Sequence, residues 1–164
     1  MKKIILFITV CLSIVMVSAQ EKNYQLSVGV LLQYAQNNFK DILGEKMPDD
    51  PDVSEYQLYQ PREKIGVGTE QIYVDKSDNS SFYICYVPLT EANAILQDVL
   101  AYVNMKVKNG DFVGEDINAG NGKNVTMVKN KTGENIMKIE TQYIKDDNFD
   151  NDYFALVING ITKK

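Results

Sequence analysis

Apolar residues near the start of the chain recur with the period of an α-helix. Between residues 24 and 43 they fall at the i, i+3, i+4, i+7 spacing that places them on one helical face. We therefore predict a first helix over residues 24–43, with Asn23 as its N-cap and Gly44 as its C-cap. Gly29 lies inside this helix, and a closely packed neighbour would explain its presence there.

A second helical period lies in the middle of the chain. It predicts a helix over residues 91–108, which follows Pro88 and begins at the N-cap candidate Thr90. Lys106 and Lys108 in the last turn complement the helix dipole. The buried stripe of this helix consists of Ala92, Ile95, Leu96, Val99, Val103 and Val107.

Elsewhere, apolar and polar residues alternate with the period of β-strands. Segment 81–87 is apolar on both faces, which is typical of a central strand covered from both sides. A turn at residues 78–80 connects it to the preceding strand in a hairpin. The proline-containing segment 45–55 and the glycine-rich segment 110–124 are predicted as loops. The predicted strands are residues 55–60, 70–75, 81–87, 125–131, 136–145 and 153–161.

The predicted elements follow the order α-β-β-β-α-β-β-β along the chain. Because runs of strands separate the helices, this order favours an α+β fold over a parallel α/β fold. We expect an antiparallel sheet of about five to six strands, with the two amphipathic helices packed on one face. No internal repeat is visible in the sequence.

The element order resembles that of type III secretion chaperones and related small α+β proteins. A second resemblance lies in the segment 38–44, with the sequence NFKDILG, together with the later amphipathic helix. This segment is similar to the helix end of many small exported proteins of unknown function from Gram-negative bacteria. Neither resemblance implies an activity.

The first nineteen residues have the pattern of a signal peptide. Lys2 and Lys3 precede an apolar run over residues 4–17, and Val17-Ser18-Ala19 supplies the small residues before a cleavage site. The apolar run is shorter than the roughly 20 residues that span a bilayer. We predict a signal peptide over residues 1–19 and a single α+β domain over residues 20–164. The mature protein would then be periplasmic or extracellular, without stable insertion in the membrane.

Composition excludes several kinds of function. The chain contains no histidine, which removes serine–histidine and cysteine–histidine catalysis as well as zinc sites built with histidine. Its formal net charge is −5, and loss of Lys2 and Lys3 with the signal peptide makes it more negative still. An acidic chain argues against binding to nucleic acid. Cleavage also removes Cys11 and leaves Cys85, which we expect to be a buried, inert thiol.

The acidic segment 146–152 is a candidate cation site. Its oxygen-bearing side chains match the start of a calcium-binding loop, with Asp146, Asn148, Asp150 and Asp152 as the candidate ligands. Asn151 stands where such a loop has glycine, and the flanking segments are predicted strands. A solvated hairpin turn is the alternative interpretation. Apart from this calcium candidate, we expect no cofactor.

The proline-containing loop 45–55 carries a second group of acids. Paired carboxylates can perform acid–base catalysis in hydrolases, but only at a fixed separation and with one of them desolvated. A flexible loop fixes no such distance, so a carboxylate-based hydrolase is a distant alternative. The other interpretation is a solvated loop that keeps the protein soluble.

The ten tyrosines are the last distinctive feature, and most of them fall on predicted strands. An exposed tyrosine patch suits protein binding, because each ring offers contact area together with a hydroxyl. Core filling and β-propensity are the alternative explanation.

We predict an exported, non-enzymatic binding protein of the bacterial envelope with an unidentified protein partner, and self-association is left open. A calcium or small-ligand protein is the alternative. The candidate interaction residues are Tyr56, Tyr59, Asp49, Asp50 and Asp52.

Overall fold

Two α-helices and ten strands make up the part of the chain that the structure describes. The structure is a computed structural model, and it describes residues 23–120, 123–142, 145–146, 149–150 and 153–161. Helix α1 spans Tyr24–Ala35 and helix α2 spans Asn93–Lys108. The strands are β1 (Leu43–Lys46), β2 (Tyr56–Pro61), β3 (Thr69–Asp75), β4 (Ser81–Pro88), β5 (Phe112–Gly120), β6 (Lys123–Asn130), β7 (Asn135–Gln142), β8 (Lys145–Asp146), β9 (Phe149–Asp150) and β10 (Tyr153–Asn159).

Eight of these strands form one antiparallel sheet in the order β1-β2-β3-β4-β10-β7-β6-β5. Strands β8 and β9 pair separately as a short antiparallel ladder. The α+β class and the antiparallel sheet are confirmed, whereas the prediction of five to six strands was wrong. The two strands missing from the prediction, β1 and β5, form the two edges of the sheet.

Strand β1 begins at the last residue of the predicted first helix and runs through the predicted C-cap Gly44 into the predicted loop 45–55. Asn23 caps α1 as expected, since its side-chain oxygen accepts a hydrogen bond from the backbone N–H of Leu26. The helix nevertheless ends at Ala35, because Asn38 and Phe39 adopt left-handed backbone conformations with φ of 54° and 56°. Phe39 is fully buried from this turn, so its apolar side chain continued the helical pattern without belonging to a helix. The predicted C-cap Gly44 is instead a residue of β1.

Strand β5 occupies most of the segment that was predicted as a glycine-rich loop. Its register with β6 places Val113, Glu115 and Ile117 on one face of the sheet, and Phe112 and Gly114 on the other. The alternation is weak because Gly114 contributes no side chain to the inner face. An edge strand also has a neighbour on one side only, so fewer of its positions need to be apolar.

The chain uses the same topology twice. Helix α1 is followed by the meander β1-β2-β3-β4, and helix α2 is followed by a meander of β5, β6, β7 and β10. The last strands of the two meanders, β4 and β10, pair with each other and join both halves into one sheet. This repetition lies in the topology, since the sequence itself shows no repeat.

Both helices pack on the same face of the sheet, as predicted. One hydrophobic cluster contains side chains from α1, from α2 and from strands of both meanders. Among the described residues, no helix is long and apolar enough to cross a membrane. The predicted signal peptide, residues 1–19, lies outside the described residues. The central members of the cluster are Val28, Leu31, Ile95, Val99, Val103, Ile72, Tyr83, Val128, Met137, Phe154 and Leu156.

A buried group of hydrogen bonds connects the end of α1 to β4 and to the end of β10. The Ser81 hydroxyl donates to the side-chain oxygen of Asn38 at 2.7 Å, and the Asn38 amide donates to the carbonyl of Asn79 at 2.6 Å. Just after β10, the N–H of Gly160 donates to the Ser81 carbonyl at 2.7 Å. The N–H of Ile161 then donates to the carbonyl of Ala35 at 2.8 Å. We call this group of residues the terminal junction; its members are Ala35, Asn38, Asn79, Ser81, Gly160 and Ile161.

Gly160→Ala should disrupt this junction. A Cβ at position 160 would lie 2.8 Å from the Ser81 carbonyl oxygen and 2.9 Å from its hydroxyl, so neighbouring atoms must move. We expect the free energy of unfolding to fall by about 1–3 kcal/mol in urea denaturation. Gly29→Ala is the control, because the nearest atom, Tyr102 Oη, would lie at an ordinary 3.6 Å. This control should be neutral or stabilising by up to about 1 kcal/mol. Equal effects of the two substitutions would contradict the expected crowding at residue 160.

Candidate functional site

The face of the sheet opposite the helices is the candidate site. Phe82, Ile84 and Tyr86 alternate along β4 with the core residues of that strand, and they therefore point away from the helices. We call this surface the open face, since none of the described helices lies on it. Its apolar members, placed by the strand registers, are Tyr56, Leu58, Tyr73, Phe82, Ile84, Tyr86, Tyr153, Ala155, Val157, Val125, Met127, Val113 and Ile117.

Three aromatic rings pack together at one end of the open face. The rings of Tyr73 and Phe82 are stacked, with centroids 4.8 Å apart and an interplanar angle of 9°. Tyr56 meets both rings edge-on, at centroid distances of 5.8 Å and 5.4 Å. Such contacts fix the rings in one arrangement and reduce the entropy that a partner would have to remove on binding. The three rings of this aromatic cluster are therefore held in one arrangement by their mutual contacts.

The acidic loop 47–53 lies beside the aromatic cluster. The side-chain amide of Gln71, an open-face residue, donates to the sulfur of Met47 at 3.6 Å. Burial raises the pKa of Tyr73, and the charges of Tyr86 and Asp50 raise it further. Asp49 is 3.7 Å from the ammonium of Lys76. The structure thus combines aromatic area with negative charge at the β2 side of the open face.

A second polar group lies near the middle of the face, across β6, β7 and β10. The carboxylate of Glu140 accepts hydrogen bonds from Lys123 at 2.7 Å, from Lys138 at 3.1 Å and from the Tyr153 hydroxyl at 2.7 Å. Its side chain is only 6% exposed. Burial raises the pKa of Glu140, but hydrogen bonds from Lys123, Tyr153 and Lys138 outweigh it, so the pKa lies below its ordinary value. We call these four residues the ionic cluster.

Sequence reasoning missed the ionic cluster because its members are far apart along the chain. The strand registers bring them together: Lys123 lies opposite Gln142, and Tyr153 lies opposite that same residue from the other side. The alternation of Lys138 and Glu140 in β7 was visible in the sequence. Only the order of the strands shows that their neighbours carry a lysine and a tyrosine.

The predicted interaction residues fall in two places. Tyr56 belongs to the aromatic cluster, and Asp50 lies close enough to influence the pKa of Tyr73 in that cluster. Asp49 and Asp52 are exposed in the same loop. Tyr59, in contrast, lies on the helix-covered face of β2, where it packs half-buried against the core. A role of these residues in binding stays a prediction.

The predicted calcium ligands are only partly described. Asp146 lies in β8 and Asp150 in β9, and the two strands pair so that Asp146 lies opposite Phe149. Asn148 and Asp152 lie outside the described residues. In the described ranges, no three acidic, cysteine or histidine side chains are grouped as a metal site would require. Calcium binding therefore stays a prediction.

Cys85 lies on the core side of β4, as predicted. It is fully buried, and its thiol donates a hydrogen bond to the Val67 carbonyl at 3.2 Å. Burial, with a smaller contribution from the charge of Glu70, raises the pKa of the Cys85 thiol to about 12. Because the thiolate is the reactive form, this environment makes the thiol unreactive.

Glu70, which the sequence did not single out, holds the loop between β2 and β3. Its carboxylate accepts hydrogen bonds from the backbone N–H groups of Ile65 at 2.7 Å, Gly66 at 2.6 Å and Val67 at 3.0 Å. The Tyr83 hydroxyl donates to the same carboxylate. All these bonds serve the shape of the loop, so we assign Glu70 a structural role.

A groove between the two helices is a second concave region. Its volume is about 300 Å³, and Tyr102, Lys106 and Phe112 lie along it. Lys106 is 3.4 Å from Asp111, and its ammonium lies 5.9 Å from the centre of the Tyr102 ring. The one cation lining the groove is thus already engaged by an acid and a ring of this chain. The described residues that line the groove therefore offer a ligand no free charged group to contact.

No protein-family model matches the chain, and the comparisons with curated proteins and with solved structures found no match either. The resemblances to type III secretion chaperones and to small exported proteins therefore stay predictions. The chaperone resemblance was based on three strands after each helix, whereas each meander of the large sheet has four.

Glu140→Gln should test the energetic role of the ionic cluster. The substitution leaves two ammonium groups without their carboxylate, so we expect a loss of about 1–3 kcal/mol in unfolding free energy at pH 7. The pKa of Glu140 is lowered on folding, so the carboxylate stabilises the folded state above its ordinary pKa of 4.5. That stabilisation disappears as the pH falls through the lower folded-state pKa, and wild type and variant should then converge.

Glu115→Gln is the matched control, because Glu115 also pairs with a lysine, Lys129, at 3.1 Å. Its side chain is 58% exposed, so the change should stay within about 0.5 kcal/mol. Urea denaturation between acidic and neutral pH measures both variants. A loss at Glu140 that equals the loss at Glu115, or that does not depend on pH, would contradict this role of the ionic cluster.

The Cys85 thiol should resist modification in the folded protein. At pH 8 we expect a chromogenic disulfide reagent to react with it roughly a hundredfold more slowly than with the thiol introduced by Leu26→Cys, a position that is 68% exposed. In denaturant, the two thiols should react at similar rates, which controls for intrinsic reactivity. Rapid reaction of Cys85 in the native state would show that its thiol is accessible to solvent and would contradict this prediction.

Proposed function

We propose that this chain is an exported, non-enzymatic binding protein whose open face docks a protein partner. The observation that carries this proposal is the set of aromatic and apolar side chains that the strand registers place on the open face. Tyr86, Val113 and Ile117 are exposed there, and the rings of Tyr56, Tyr73 and Phe82 are partly exposed. An antiparallel sheet with one wet face normally alternates apolar and polar residues. Here β4 is apolar on both faces, yet no described helix covers the second one. Three other apolar side chains, Leu58, Ile84 and Ala155, are buried in this face. Apolar side chains exposed on a sheet face favour an interaction site.

The composition of the face favours a protein over a small ligand. Tyr86 is 40% exposed, and its ring meets that of Tyr153 edge-on at 5.7 Å. Tyrosine is enriched at the centres of protein interfaces, where its ring is buried and its hydroxyl finds a partner. Small molecules need a cleft that encloses them, whereas the exposed apolar side chains of this face, Tyr86, Val113 and Ile117, are spread over strands β4 and β5, which are not neighbours in the sheet.

Charge indicates the chemistry of the partner. Asp49, Asp50 and Asp52 lie beside the aromatic cluster, and the whole chain has a formal net charge of −5. A protein with lysine or arginine side chains around an apolar centre would complement this end of the face. Such complementarity accelerates association at low salt and excludes acidic partners.

Export forms part of the same proposal. Its support is the sequence pattern over residues 1–19, which places the mature chain in the periplasm or outside the cell. Catalysis is not part of it, because the chain has no histidine and its buried cysteine has a strongly raised pKa. For the calcium alternative, the described residues supply no contact or distance in its favour, and Asn148 and Asp152 lie outside them.

Site-specific photocrosslinking tests the docking surface. A benzophenone amino acid replaces Tyr86 on the open face, and Leu100 on α2 in a matched control, since the two positions are 40% and 36% exposed. In the native envelope fraction we expect Tyr86 to give one defined protein adduct that Leu100 does not give. Adducts from Leu100 alone, the same adducts from both positions, or none from either would overturn the proposal.

The partner identified in this way then allows an affinity measurement. Tyr86→Ala should weaken binding at least roughly tenfold, as expected for an aromatic side chain at the centre of an interface. Leu100→Ala should change binding less than roughly twofold. Raising the salt concentration should slow association, because the acidic loop contributes through long-range charge.

A further inference from the structure

The two edges of the sheet differ in a way that the topology does not require. β1 and β5 are the first strands of the two meanders and occupy equivalent places. β1 has four residues, an irregular register with β2, and Pro48 two residues beyond its end. β5 has nine residues, contains no proline, and pairs on one side with β6, in a register that is regular from Phe112 to Asn118 and shifts only before Gly120. Short strands, proline and unpaired charges protect a sheet edge from pairing with other chains. β5 is long and has no proline, and its charged residues, Glu115 and Asp116, are already engaged by Lys129 and Thr126 of the same chain.

The side chains of β5 add apolar surface to this edge. Val113 is 58% exposed and Ile117 is 42% exposed, and both lie on the open face. They are four residues apart, with Glu115 midway between them. On the open face, the order apolar–acidic–apolar is kept when the strand is reversed about Glu115, since Val113 and Ile117 exchange places. The edge is thus complementary to itself under a two-fold rotation.

We propose that β5 pairs in an antiparallel manner with β5 of a second copy of this chain, with Glu115 on the two-fold axis. Val113 of each copy then lies opposite Ile117 of the other, so both exposed apolar side chains gain an apolar neighbour across the strands. A shift by one residue would place open-face side chains opposite core-face side chains. A shift by two residues would place either Val113 or Ile117 opposite Glu115 of the other copy. The remaining apolar residue would then lose its apolar neighbour across the strands.

The charges of the edge fit this register. Two Glu115 carboxylates face each other at the axis, which alone would be unfavourable. Each of them is paired with Lys129 of its own chain at 3.1 Å, on the neighbouring strand β6. Asp116 points to the other face, where it accepts a hydrogen bond from the Thr126 hydroxyl at 2.6 Å. Its own chain therefore already engages both acidic groups of the edge.

Pairing of this kind would double the eight-stranded sheet and bring two open faces side by side. The inference goes beyond the proposed function and does not depend on it, because it is carried by the edge and not by the aromatic cluster. Docking at Tyr86 and pairing at β5 can each fail while the other holds. A second copy is favoured over an unrelated strand because the matching pattern already stands in this sequence.

Crosslinking of introduced cysteines tests both the dimer and its register. The mature chain is used, in which the native Cys85 is buried. A short bis-maleimide spans the roughly 5 Å between opposite residues but not the roughly 13 Å between residues four apart. Glu115→Cys alone should give a covalent dimer. Val113→Cys and Ile117→Cys should each give none alone and should give a dimer when mixed.

Sedimentation velocity on the unmodified chain gives the independent measurement. We expect a concentration-dependent dimer at micromolar protein, which Val113→Lys combined with Ile117→Lys converts to a monomer with an unchanged circular dichroism spectrum. The proposal is overturned if the unmodified chain stays monomeric at micromolar concentrations. It is also overturned if the dimer persists after the double substitution. A dimer in which the Val113→Cys thiols crosslink to each other overturns it as well.

Discussion

The pairing of β4 with β10 is the constraint on which the rest of the structure depends. Seven consecutive residue pairs, from Pro88–Tyr153 to Phe82–Asn159, hold the last strands of the two meanders together. This contact merges two similar units into one sheet, so the helices share a core and the opposite side becomes one continuous surface. Neither meander alone would present both the aromatic cluster and the ionic cluster. The pairing is also non-local, since about seventy residues separate the partners along the chain.

The sequence was informative wherever one local pattern decided the structure. The stripe of Ile95, Val99 and Val103 located α2, and the capping side chain of Asn23 located the start of α1. Prediction failed at the edges, where local patterns gave conflicting signals. Phe39 is buried from a left-handed turn, and its apolar character therefore extended the apparent helix beyond Ala35 to the start of β1. Gly114 interrupts the alternation of β5, although its neighbours on the open face follow it.

The candidate site was predictable only in part, for a related reason. Tyrosine content and strand propensity indicated a possible interaction surface, and Tyr56 does lie on it. Which face each ring occupies depends on register, and so Tyr59 falls on the opposite side from its neighbours Tyr56 and Leu58. The ionic cluster depends on strand order as well, because Glu140 meets Lys123 and Tyr153 only through pairing of β7 with both β6 and β10. Neither the register of the strands nor their order in the sheet can be read from a short window of sequence.

The terminal junction has a consequence for the order in which the chain can assemble. Its hydrogen bonds tie Ala35, at the end of the first helix, to Ile161, just after the last strand. The bond from Gly160 to Ser81 likewise joins the end of the described chain to its middle. During synthesis, helix α1 is therefore made more than a hundred residues before strand β10, which completes its packing. Helix α1 has to wait for β10, and the shared core acquires its final packing only after β10 has been made.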